Sequence, residues 1–303
     1  MSPRSAASPL RLSDLPHPAV AGLISVIVNY GGTFILVFQA AKVAGLSPAL
    51  TASWVWSVSI GVGLTGLVLS WRYRAPIITA WSTPAAAFLV TALATTSYAE
   101  AIGAYMLSAA AFVALGLSGC FEKVIGLIPR GIASGLLAGI LLQFGIGAFG
   151  GASADPLLVG LLVIAYLVLK RFSARYAVVG ILVLGLAFLL VQGRVDLSGL
   201  KLEFAAPVFT MPAFSLNALL SVALPLFLIT LTGQYMPGML VLRNDGFETS
   251  ANPIVTATGL GSLIMAPFGS HAFNLAAITI GIIGWTIIAS VRASSRARKL
   301  AGG

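Results

Sequence analysis

Apolar runs separated by short polar loops fill most of the chain. A hydrocarbon core of about 30 Å needs about 20 apolar residues per helical span. Ten segments meet or nearly meet that length: 18–44, 48–69, 76–96, 99–119, 131–149, 156–169, 174–191, 215–242, 253–267 and 272–291. The pattern predicts an all-α polytopic membrane protein with about 10 transmembrane spans. Two stretches break it: Ala75-Pro-Ile-Ile-Thr-Ala-Trp-Ser-Thr-Pro84 and Ala266-Pro-Phe-Gly-Ser-His-Ala-Phe-Asn-Leu275. Each puts Pro, Gly, Ser or Thr at membrane depth, where an unpaired backbone group costs several kcal/mol unless protein or water satisfies it. Paired broken helices of this kind mark the substrate site of transporters built from inverted repeats.

The longest stretch without a span, from Gln192 to Phe214, holds Gly193, Asp196, Ser198, Gly199, Pro207 and Pro212, and it follows the seventh helix. Seven is odd, so a second copy starting after it runs inverted relative to the first. The expected divisions are a disordered lead (1–16), a first seven-span repeat (17–192), a linker (193–214), a second repeat truncated to three spans (215–291) and a basic tail (292–303). The third span of each half then carries an interruption. The agreement is one of position, without a residue-level repeat.

Composition supports the membrane reading. The 303 residues are 58% hydrophobic and 8% charged, and the mean hydropathy is +1.02; soluble chains are about a quarter charged. The net charge of +9 does not indicate nucleic acid, because the charges sit in alternate loops. With the N-terminus cytoplasmic, 14 cations fall inside: Arg4, Arg11, Arg72, Arg74, Lys123, Arg130, Lys170, Arg171, Arg175, Arg243, Arg292, Arg296, Arg298 and Lys299. Only Lys42, Arg194 and Lys201 remain outside. This is the positive-inside pattern of an inner-membrane protein with both termini cytoplasmic, and the basic tail suits anionic lipid. The first span is expected to be retained, being too long for a signal-peptide core. The single cysteine, Cys120, excludes a disulfide framework and a Cys-rich metal site. No Ser-His-Asp grouping, H-E-x-x-H spacing or phosphate loop suggests an enzyme, a cofactor or a metal.

Several strings resemble the benzoate:proton symporter family, the BenE type. They are Arg11-Leu-Ser-Asp-Leu15, Phe38-Gln-Ala-Ala41, Arg72-Tyr-Arg-Ala-Pro-Ile77, Thr79-Ala-Trp-Ser-Thr-Pro84, Gln234-Tyr-Met-Pro-Gly238, Pro267-Phe-Gly-Ser-His271 and Asn274-Leu-Ala-Ala-Ile-Thr279. The resemblance covers residues from about Leu10 to Thr279 and implies the fold of nucleobase transporters, with fourteen spans in two inverted repeats of seven divided into core and gate. About four of those spans have no counterpart after Thr279. The implied activity is proton-coupled uptake of benzoate or a related aromatic carboxylate. The alternative is a truncated, transport-inactive fragment that still binds ligand. The resemblance leaves a homodimer open.

The residues suggest how a carboxylate is held. A half-helix N-terminus offers unpaired N–H groups and about half a positive charge, which suits an anion without a basic side chain. Ser82 and Thr83 lie at the expected cap before Pro84, a favoured first-turn residue. In the second interruption Gly269 allows the turn, and Ser270 is expected to cap a helix leading to Asn274. The other reading is of kinks that close a tight helix packing. Gln234 in the eighth span is a ligand contact, as the nucleobase-transporter resemblance implies, or helix–helix glue; Gln39 has the same two readings, and Asn29 and Gln143 read as glue. Trp81, Phe88, Tyr235, Phe268 and Phe273 are candidates for an apolar slot around a ring. All eight acids lie in loops or at span ends. That leaves His271 as the titratable group at depth and the candidate for proton coupling. His17 reads as interfacial.

Overall fold

The computed structural model describes residues 26–27, 29–73, 75, 77–127, 142, 146–147, 149–173, 177–195, 204–244, 247 and 249–276. A π-helical turn, Asn29–Thr33, leads into α1 (Ile35–Val43), followed by α2 (Pro48–Tyr73), β1 (Thr79–Trp81), α3 (Thr83–Ala92), α4 (Tyr98–Ser118), α5 (Phe121–Leu127), α6 (Pro156–Ser173) and α7 (Ala177–Val191). Then come α8 (Leu216–Arg243), α9 (Ala251–Met265), a 3-10 turn (Ala266–Phe268) and β2 (Phe273–Leu275). Among the described residues, α2, α4 and α8 are long and apolar enough to cross a membrane.

The third expected span, 76–96, is not one helix. It is a strand, a turn at Ser82 and the ten-residue α3, whose length of about 15 Å crosses half of a 30 Å core. The tenth, 272–291, begins as strand β2, and its remainder from Ala277 lies outside the described residues, as does most of the fifth, 131–149, with Gln143. The first strand is tied to α2 through Thr79. The backbones of the two strands bond to each other: β1 and β2 pair antiparallel, Thr79 opposite Leu275, Ala80 opposite Asn274 and Trp81 opposite Phe273. Two flanking bonds lengthen the ladder, Ser82 N–H to the Ala272 carbonyl at 3.2 Å and Ala276 N–H to the Ile78 carbonyl at 2.8 Å. In a medium without water this pairing satisfies both irregular segments at once.

Hydrogen bonds to the flanking helices α2 and α9 hold the outer edges of the ladder. Ser262 of α9 accepts from Phe273 N–H at 3.1 Å and donates to its carbonyl at 3.2 Å. Thr79 donates to the Val62 carbonyl of α2 at 2.7 Å, and Ser70 donates to the Ile77 carbonyl at 2.9 Å. The Phe273 ring fills the space left by two glycines: a Cβ on Gly61 would lie 2.3 Å from the ring and one on Gly261 2.9 Å.

Helix α8 is wound loosely at two places, Leu219–Ala223 and Leu231–Tyr235, both π-helical. Each segment ends two residues before a proline, Pro225 or Pro237, whose ring would strike the carbonyl four residues back, and the wider π turn relieves that clash. The expected linker, 193–214, is described at 193–195 and 204–214, and over 204–214 it has no regular secondary structure. It is docked on the second interruption: Thr210 N–H donates to the Pro267 carbonyl at 2.8 Å, and Val208 N–H donates to Ser53 Oγ at 2.8 Å.

Candidate functional site

Ser82 is the junction of the site. Its backbone closes the ladder, and its side chain caps α3 by accepting from Ala85 N–H at 3.3 Å, with Pro84 in the first turn. Thr230 of α8 donates to Ser82 Oγ at 3.1 Å. Three residues later, Gly233 approaches so closely that a Cβ there would lie 3.4 Å from Pro84. A π-helical segment of α8 thus lies against the N-terminus of α3, with Gln234 buried in it.

The second interruption reaches the same place by a tight turn. Gly269 takes φ +110°, and an added Cβ would lie 3.0 Å from Trp54 Cα and 2.7 Å from the Tyr98 hydroxyl oxygen. Ser270 follows, fully buried, but it caps no helix: the chain continues extended into β2, and Asn274 is the central residue of that strand. The expected cap is therefore corrected, because partners on β1 take up the backbone groups that a helix would have used. His271 is 1% exposed. Its Nδ1 accepts from Trp54 Nε1 at 3.1 Å, while Nε2 makes no hydrogen bond among the described residues.

Several buried polar atoms on and beside this ladder have no partner among the described residues: Trp81 Nε1, Ser270 Oγ, His271 Nε2, and both Nδ2 and Oδ1 of Asn274. Native proteins leave few such atoms, and each costs about 1–3 kcal/mol when buried. Here they gather on two residues of the ladder, Trp81 and Asn274, and on the two residues of the turn that leads into it, Ser270 and His271. Ala80, directly opposite Asn274, brings only a methyl group beside the amide.

Not every expected residue comes to this place. Gln39 is exposed on α1, off the stripe of Leu36, Val37, Ala40 and Ala41 that faces the core. Tyr235 is buried, but it packs on Phe112 at 5.0 Å, and its hydroxyl pairs with Thr258 at 2.5 Å. Phe268 is half-buried against Trp56 and Phe209, Phe273 is packing between α2 and α9, and Thr83 is half-buried in the first turn of α3. Of the expected aromatic slot, Trp81 remains at the site. It stands edge-on to Phe34 at 4.7 Å and to Tyr30 at 4.9 Å. Those two rings, with Trp54 and Tyr105 beside His271, were missed from sequence. The four-residue spacing of Tyr30, Phe34 and Phe38 is the signal that could have found the first pair, since it lines up one helix face.

Long apolar helices around two paired, irregular segments fit a membrane protein, and the comparisons with known proteins make its class a transport protein. Residues 13–288 match the family model for the benzoate membrane transport protein, and the chain belongs to that family. It is 42% identical over 260 residues to the "Benzoate membrane transport protein" of Acinetobacter baylyi, covering 86% of this chain and 66% of that protein. It is 36% identical over 274 residues to "Inner membrane protein YdcO" of Escherichia coli, covering 90% and 70%. The chain thus spans about two thirds of the length of these relatives.

Proposed function

We propose that the chain is a secondary transporter that takes up benzoate or a related aromatic carboxylate across the inner membrane, coupled to protons. The observation that carries this reading is the set of unpartnered buried polar atoms on Trp81, Ser270, His271 and Asn274, beside the N-terminus of the half-helix α3. A carboxylate accepts hydrogen bonds from indole, hydroxyl, imidazole and amide donors and gains from the positive end of α3. It offsets their desolvation without a buried cation, and no Lys or Arg is buried among the described residues. The edges of Trp81, Phe34 and Tyr30 suit the ring, and Gln234 on the adjoining π turn orients the anion. The coupled proton rides on His271 or on the substrate carboxyl.

The antiparallel ladder supports a pair of inverted repeats, because a two-fold axis in the membrane plane reverses chain direction. In both halves the strand follows a long helix and bonds back to it, β1 to α2 through Thr79 and β2 to α9 through Ser262. The charge alternation supports cytoplasmic termini and contact of the basic 292–299 cluster with anionic lipid. A chain with about two thirds of its relatives' length can carry the site without every part that moves against it. Binding without uptake is accordingly the second reading.

Uptake of labelled benzoate by cells expressing this 303-residue chain, with insertion quantified first, separates the two. Protonophore-sensitive uptake is the expected result. A well-inserted chain that binds benzoate and accumulates none would replace transport with the second reading.

A further inference from the structure

One turn of α2 grips the second interruption with three side chains. Ser53 Oγ and Ser57 Oγ both donate to the Phe268 carbonyl, at 2.9 and 3.2 Å, and Trp54 Nε1 donates to His271 Nδ1 at 3.1 Å. An indole has a donor and no acceptor. The nitrogen that it reaches must therefore accept, and the hydrogen of a neutral imidazole then sits on Nε2. That atom is buried and makes no hydrogen bond among the described residues.

We propose that Trp54 is a positioning residue that locks His271 in its Nε2–H tautomer, so that His271 serves as a fixed hydrogen-bond donor to the substrate carboxylate and does not carry the coupled proton. This rests on the substrate reading above and chooses between its two proton routes. A proton added at Nδ1 would point one N–H at another, so protonation requires the indole to withdraw. Packing opposes withdrawal: Trp54 is 0% exposed, stands against Tyr98 and Tyr105, and has the turn at Gly269 against its Cα and Cβ. The titratable side chains facing the imidazole are Tyr105, 6.4 Å between ring centres, and Tyr98 behind Gly269, both from α4. From α2, β1, α3 and α8, no Asp, Glu, Lys or Arg is buried among the described residues.

The chain has two histidines, so a His17→Gln background leaves one imidazole to observe. Nitrogen NMR of histidine-labelled protein in nanodiscs should show a pyridine-type Nδ1 and a pyrrole-type Nε2, unchanged from about pH 5 to about pH 8, where a free histidine titrates. Trp54→Phe keeps a ring in place and removes the donor; its Nδ1 signal should move towards tautomer averaging and become pH-dependent. A protonated Nδ1 in the Trp54 protein would overturn the proposal on its own, whether or not the variant folds. So would an unchanged spectrum in a folded Trp54→Phe chain. Added benzoate should shift Nε2 alone. A locked Nδ1 with an Nε2 indifferent to benzoate would keep the tautomer assignment and refute the substrate reading beneath it.

Discussion

Gly269 shows how little freedom single residues have here. Its φ of +110° lies where a side chain is strained, and the atoms that an added Cβ would meet include the Trp54 backbone, which cannot turn aside. Gly269→Ala should lower stability by about 1–3 kcal/mol, read as a fall of several degrees in the thermal unfolding midpoint in detergent. An unchanged midpoint would mean that the turn is not held as described. Asn274 poses the opposite problem. Its backbone is in the ladder, yet its amide is fully buried without a partner, an arrangement that stability alone does not explain.

At the scale of elements, the ladder replaces helix in two spans, and its exposed edges are its weak points. Ser262 covers one edge by bonding both backbone groups of Phe273. Ser262→Ala would leave an N–H and a carbonyl unpaired in an apolar interior, costing about 2 kcal/mol or more. Unfolding followed by tryptophan fluorescence should show it, and equal stability of the variant would mean that another group covers the edge. Much of this was legible in sequence. The Pro, Gly, Ser and Thr positions located both interruptions, and the Ser82 cap before Pro84 is present. Strand pairing was not legible, because a three-residue strand has too short a period to read and its partner lies almost 200 residues away. For the same reason Ser270 was expected to cap a helix. The Tyr235 and Phe268 rings were misplaced because an aromatic residue near a site in sequence has many apolar neighbours competing for it, and Thr258 and Phe209 hold these two elsewhere. Gln39 lies one position off the buried stripe of its helix.

At the scale of the whole molecule, two ion pairs join segments that are distant in sequence. Arg194 pairs with Asp155, and Arg243 at the end of α8 pairs with Glu122 in the first turn of α5. Such exposed pairs add little stability. Arg194 holds the Asp155 carboxyl below the usual carboxylate range, so this pair stays ionised through neutral pH and weakens only under acid. The proposed site lies where two distant segments supply each other's backbone bonds and leave side-chain donors over. The most direct measurement is benzoate binding to the purified chain by calorimetry, with Ser270→Leu beside it. Ser270 is fully buried with a free hydroxyl, so the larger side chain should remove binding, at least tenfold by loss of a charge-assisted hydrogen bond of about 1.5–3 kcal/mol, while membrane insertion persists. Unchanged affinity in the inserted variant would contradict the claim that the paired interruptions hold the carboxylate.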